Sequence, residues 1–149
     1  MLKIRYTVIF FILSLTFILS YLTPNYLQEA TLEVYDISLV YYLWAWIFAI
    51  QIIVFIPSFI FRTEHYYDLT GGITYISTVV IALILKNIYQ GIDLISLLLG
   101  SMVIIWATRL SSFLFLRVKK SGEDVRFKKI KHSFSWFLMT FMLQGMWVF

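Results

Sequence analysis

The chain has 149 residues, 61% of them apolar and 13% charged, with a net charge of +4 and a mean hydropathy of +0.87. Soluble domains carry about a quarter charged residues, so water is excluded as the solvent for most of this surface. There is no cysteine, which excludes disulfides and thiolate metal sites, and the two separated histidines cannot by themselves make a zinc site.

A helix needs about 20 apolar residues to cross the hydrocarbon, with about 17 as a lower limit. Taken in chain order, Lys3 and Arg5 precede an uncharged run at 6–22. It has the charge and apolar core of a signal peptide but no small-x-small cleavage pattern behind it, so it reads as a retained signal anchor. Pro24 is expected to stop this helix. The second run, 37–61, is the longest without charge and carries Pro57 near its end, where a kink toward the next loop is expected. The third, 69–85, starts behind Asp68, Thr70, Gly71 and Gly72, a group suited to capping and to close backbone approach. The fourth, 94–116, carries Arg109 about two thirds of the way along. The fifth, 133–149, is apolar to its last residue.

Backbone groups in hydrocarbon must bond internally, and no segment has the short alternation of an outer-membrane barrel. The fold class is therefore all-α: a polytopic transmembrane bundle of about five helices, forming one domain over 1–149. No repeat and no Gly/Ser linker divides it. The excess positive charge gathers at 117–131, in Arg117, Lys119, Lys120, Arg126, Lys128, Lys129 and Lys131. Alternation of sides brings Arg62 and the Lys3/Arg5 terminus to the same face as this loop. The opposite side receives Lys86 together with Glu29, Glu33, Asp36 and Asp93. By the positive-inside rule the amino terminus and the loop 117–131 are expected in the cytoplasm. The charge is thus a topology signal, and nucleic acid is not an expected partner.

Three groups of residues could carry chemistry. A guanidinium at Arg109, about 12 Å along the helix from Arg117, could bind a phosphate bidentately; equally, it could snorkel or pair inside the bundle. The string Ser121-Gly122-Glu123-Asp124-Val125-Arg126-Phe127 puts a turn and an acidic pair inside the positive run. Asp124 and Arg126 there would order a ligand or each other. The string Phe61-Arg62-Thr63-Glu64-His65-Tyr66-Tyr67-Asp68 collects carboxylate, imidazole and phenol at one membrane edge, the ingredients of proton transfer. Its plain alternative is an interfacial tyrosine belt with Asp68 as a cap. Gln51 and Gln144 are expected to join helices by hydrogen bonds. Trp44, Trp46 and Trp106 either wall a lipophilic pocket or sit in an aromatic belt. No P-loop, GxGxxG, HExxH, CxxC or GxSxG pattern is present.

The string 61–71 with Trp106-Ala107-Thr108-Arg109-Leu110, Gly122-Glu123-Asp124-Val125-Arg126-Phe127 and Gln144-Gly145 resembles the uncharacterised branch of the steroid 5α-reductase-like membrane protein family, over about residues 51–149. That resemblance implies a multi-helix membrane oxidoreductase in which NADPH reduces a carbon–carbon double bond conjugated to a carbonyl in a steroid-like or other lipid. It implies cofactor contacts at Arg109, Arg117, Asp124 and Arg126, with Glu64, Tyr67 and Asp68 as candidates for proton supply. No metal is implied. Characterised relatives carry a glutamate in the second helix and a tyrosine shortly before the embedded arginine; this chain has Gln51 and Trp106 at those approaches. Relatives are also longer, so the chain reads as the amino-terminal part of the family fold. The alternative is a noncatalytic membrane protein, a scaffold or small transport component, assembling with itself or a partner chain through Gln51, Gln144, Ala107 or Ser111. Expected partners are the lipid bilayer and a lipophilic small-molecule substrate, in a bacterial inner membrane or the endoplasmic reticulum.

Overall fold

The computed structural model describes residues 2–26, 32–122 and 124–149, with only the backbone of Leu2; Glu29 and Glu123 lie outside the described residues. Five α-helices follow in order: α1 (Leu2–Tyr26), α2 (Leu39–Ile60), α3 (Tyr67–Tyr89), α4 (Leu94–Ser121) and α5 (Phe134–Val148). The all-α bundle expected from the apolar runs is what forms. The first four helices are long and apolar enough to cross a membrane, and the chain is an integral membrane protein by that measure. At 15 residues, α5 reaches only about 22 Å, short of the roughly 30 Å of a hydrocarbon core.

Three local expectations need correction. α1 runs through Pro24 to Tyr26. Proline there removes one hydrogen bond in the closing turn, and Asn25 Nδ2 supplies another by donating to the Tyr21 carbonyl at 2.6 Å. A short antiparallel hairpin, β1 (Glu33–Val34) and β2 (Ile37–Ser38), precedes α2. Its turn residues Tyr35 and Asp36 both have positive φ, 50° and 62°, which matches the twist a two-residue hairpin demands. Finally, Asp68 does not cap α3: the N-cap is Tyr66, without a side-chain bond.

The core is aromatic. Phe137 and Phe141 of α5 are fully buried and stack edge-on at 5.2 Å. Phe55 of α2 meets Phe141 at 5.7 Å, and Tyr67 of α3 meets it at 5.1 Å. Polar side chains tie the helices across the apolar interior. Trp44 Nε1 donates to Thr16 Oγ1 at 3.0 Å and Trp46 Nε1 to Ser77 Oγ at 3.0 Å. Gln51 Nε2 donates to Thr74 Oγ1 at 3.1 Å, and Gln144 Nε2 to the Tyr67 carbonyl at 3.0 Å. The joining role expected for both glutamines is met. α3 and α4 approach closely where Gly72 lies against Ser111 and the Ala107 carbonyl, the small-residue contact that lets helices pack without a hydrophobic driving force.

Outward faces carry large apolar side chains, among them Phe10, Ile53, Leu94, Met102, Ile105 and Phe113, each more than 60% exposed. A surface of this kind is stable against lipid and not against water. The three basic segments meet at one end of the bundle. Arg5 Nη1 donates to Ser133 Oγ at 2.8 Å and its guanidinium lies 4.5 Å over the Trp136 ring. Arg62 Nη1 is 3.3 Å from His132 Nδ1. Lys86 pairs with Asp93 at the other end.

Candidate functional site

α2 ends at Ile60, and the chain turns at Arg62, whose φ of 50° lies in the left-handed region. The turn sends Glu64 inward. Its carboxylate is fully buried, receives Lys131 Nζ at 2.8 Å through Oε2 and accepts the Asp124 backbone N–H at 3.1 Å through Oε1. Burial alone pushes the Glu64 carboxyl up. The Lys131 ammonium and the backbone N–H groups of Asp124 and of Glu64 itself outweigh that, and its pKa is lowered.

Asp124 stands at the start of a short 3₁₀ turn, Val125–Phe127. Both its oxygens receive Arg126 Nε at 3.0 Å, Oδ1 accepts the Arg126 backbone N–H at 2.9 Å, and Oδ2 lies 2.5 Å from Arg126 Nη2. The Arg126 guanidinium beside it, more than its burial, sets the Asp124 pKa, which is lowered; the same contact raises that of Arg126. Arg126 Nη2 also reaches Asp68 Oδ2 at 3.4 Å, and Arg117 Nη2 lies 3.7 Å from Asp124 Oδ2. Gly122 makes this geometry available: at φ +83° it ends α4 and turns the chain back toward α3. His65 holds that turn with Nε2 at 3.1 Å from the Gly122 carbonyl.

Six of the seven residues singled out by sequence therefore fall together. Glu64, Tyr67, Asp68, Arg117, Asp124 and Arg126 occupy one end of the bundle, and Lys131, noted only as loop charge, completes the set. Arg109 does not join them. It is exposed on the outer face of α4 beside Trp106, Leu110 and Phe113, and has no hydrogen-bond or ion-pair partner among the described residues. The buried guanidinium considered from the sequence is not what forms.

Next to the charged group lies a cleft of about 310 Å³ between α3, α4 and α5. Gly71 and Gly72 are part of its wall, and its apolar sides come from Trp106, Ala107, Leu110, Leu114 and Trp147. Tyr67, Asp68, Tyr75, Ser111 and Gln144 supply the polar groups. Tyr67 donates its hydroxyl proton to the Thr140 carbonyl at 2.9 Å, and its ring is pinned by Phe127 at 4.7 Å. Of the three tryptophans considered for a pocket wall from the sequence, Trp106 lines this cleft, while Trp44 and Trp46 cross-link helices. Of the residues considered for association, Ala107, Ser111 and Gln51 are buried within the chain, and Ala107, Ser111 and Gln144 line the cleft.

Residues 54–149 match the model of a family described as a protein of unknown function, DUF1295. The chain belongs to this family. No curated protein and no solved structure matches it. The DUF1295 match begins in the last part of α2 and includes every residue of the charged group and of the cleft, while α1 and the hairpin precede it.

Proposed function

We propose that this DUF1295 chain is a membrane-embedded reductase that holds a lipid-like enone in the cleft between α3, α4 and α5, with NADPH as the reductant. The observation that carries the reading is the cleft itself: a slot with apolar walls and with Tyr67 and Asp68 among its polar groups. Enzyme pockets combine such walls with few convergent polar groups. The resemblance to steroid 5α-reductase-like proteins supports the choice of reaction.

The cofactor contacts can be weighed by free donors. Arg126 commits Nε and Nη2 to Asp124 and Asp68 yet keeps a 57% exposed side chain, and Arg117 is 49% exposed with one contact at 3.7 Å. Both retain N–H groups for a phosphate, and Lys119 and Lys120 stand exposed beside them. These residues fit an anionic cofactor; Arg109, on the outer face, does not fit with them. Bound there, NADPH would supply a hydride to one carbon of the double bond, and the other carbon takes a proton. In this reading Tyr67 gives that proton, turning it from the Thr140 carbonyl, and Asp68 is the group through which it is replaced. Asp124 orients Arg126, and Glu64 with Lys131 holds the loop. The amino terminus and loop 117–131 face the cytoplasm, where the cofactor is found.

The test is turnover of a lipid enone by purified chain in nanodiscs, read by mass as a product heavier by two hydrogens. The native chain is expected to form it, and Leu110→Trp, which fills the cleft from an exposed position of α4, to lose it. Equal turnover in both would remove the cleft from the reaction. The chain has no cysteine, so single Lys120→Cys and Asn87→Cys variants report sidedness directly. An impermeant maleimide added outside intact cells should label only the second; labelling of the first would reverse the topology.

A further inference from the structure

α4 is capped by Asp93, which pairs with Lys86 at the end of the bundle away from the basic segments. Counted from there, Arg109 stands about 24 Å along the helix, about 6 Å short of the far edge of a hydrocarbon core about 30 Å thick. A charge at that depth needs a counter-charge or a way to the interface. Its side chain is exposed and has no hydrogen-bond or ion-pair partner among the described residues. The same holds for Lys120. Met102, Ile105, Arg109, Phe113, Leu116 and Lys120 follow one another at steps of three or four residues, in one line along the helix. The four apolar members are each more than 60% exposed. Beside Arg109 lies a hollow of about 460 Å³, lined also by Trp106, Leu110 and Phe113.

No carboxylate among the described residues is placed to meet Arg109. Glu64, Asp68, Asp93 and Asp124 each face a cation already. Glu33 and Asp36 belong to the hairpin, where Val34 shares an apolar cluster with Leu85, beside Lys86 and so at the opposite end. A second copy in the same orientation brings these groups no nearer in depth. We propose that this line of α4 holds a net-anionic phospholipid of the leaflet at the basic end, with its phosphate between Arg109 and Lys120. Its acyl chain then runs past Phe113 toward Ile105 and Met102. Arg109 reaches the phosphate by snorkelling toward the interface, where a guanidinium matches two phosphate oxygens at once. Lys120, about 16 Å further along the axis, meets it from the other side. Two cations favour a headgroup that carries no cation of its own. The apolar line and the hollow suit acyl chains, which a soluble phosphate lacks. The proposal does not depend on the reaction assigned to the cleft.

Native mass spectrometry of the full chain in detergent, titrated with dioleoyl phosphatidylglycerol or dioleoyl phosphatidylcholine, counts the lipids that stay bound. The native chain is expected to hold phosphatidylglycerol at least about fivefold more tightly, the worth of one cation at a membrane surface. Arg109→Gln and Lys120→Gln should each weaken phosphatidylglycerol by about that factor, and Arg109→Lys should keep most of the preference. Lys129→Gln removes the same charge from the basic end but not from the α4 line, and should change little. Equal affinities for the two lipids in the native chain overturn the proposal. A loss in Lys129→Gln as large as in Arg109→Gln also overturns it, since the preference would then be the general attraction of the basic end. A dimer that excludes phosphatidylglycerol and dissociates in Arg109→Gln would put a second copy on this face in place of the lipid. If Arg109→Gln fails to fold, Lys120→Gln, which lies beyond the hydrocarbon, still decides.

Discussion

At the scale of single residues the organising feature is the closed set of charges at one end of the bundle. Glu64, Asp68 and Asp124 face Arg117, Arg126 and Lys131. Breaking a buried pair by removing one partner costs about 3–5 kcal/mol, because the remaining charge is left unpaired. Lys131→Met leaves Glu64 in that state, and we expect a loss of that size in thermal or denaturant unfolding in detergent; a loss under about 1 kcal/mol would mean Glu64 finds water instead. The same pair sets a pH dependence. Glu64 and Asp124 have lowered folded pKa values, so their stabilisation is complete above the ordinary carboxyl range near about pH 4 and fades as the pH falls through the lower folded values. The melting temperature of the native chain should fall on acidification from about pH 5 to about pH 3, and that of Glu64→Gln should fall less. A sequence shows which residues are charged but not which pair across 60 or more positions, as Glu64 does with Asp124 and Lys131. For the same reason Arg109, the most conspicuous charge in an apolar run, gave no sign that it lies on the outer face of α4.

At the scale of elements, the apolar runs marked every helix but not its ends. α3 and α4 each continue past the apolar run, to Tyr89 and Ser121, because the hydrocarbon fixes the apolar length whereas a helix goes on into the polar interface. The hairpin at 33–38 left no signal: its turn, Tyr35-Asp36, lacks the glycine or asparagine that marks a two-residue turn. Gly71-Gly72 was legible as a point of close approach, though not as part of a cleft wall. Gly72 marks a close approach of α3 and α4, since a Cβ there would run into the Ser111 side chain. Gly72→Ala should cost about 1–3 kcal/mol by overpacking, and Ser111→Gly, which removes both the Cβ and the hydroxyl that the new methyl would meet, should recover part of it in a double-mutant cycle. No recovery in the double variant, measured by unfolding in the same detergent, would mean that the strain falls on the Ala107 backbone instead.

At the scale of the whole molecule, four long helices and the shorter α5 form a bundle whose apolar outside suits lipid. Its basic segments are gathered at one end, and its cleft lies beside them. The bundle and its basic end could be anticipated from composition and charge placement. The cleft could not, because its wall is assembled from helices that are adjacent only after packing: Gly72 of α3, Leu110 of α4 and Gln144 of α5. The claim on which the account rests is that this cleft is the ligand site. It is tested most directly by photo-crosslinking a diazirine-bearing lipid enone to the chain in nanodiscs and mapping the labelled residues by mass spectrometry. The account predicts label on Trp106, Leu110 and Leu114 of α4 and on Trp147 of α5, removed by excess unmodified enone. Label spread along the outer faces of α1 and α2, unaffected by that excess, would contradict it.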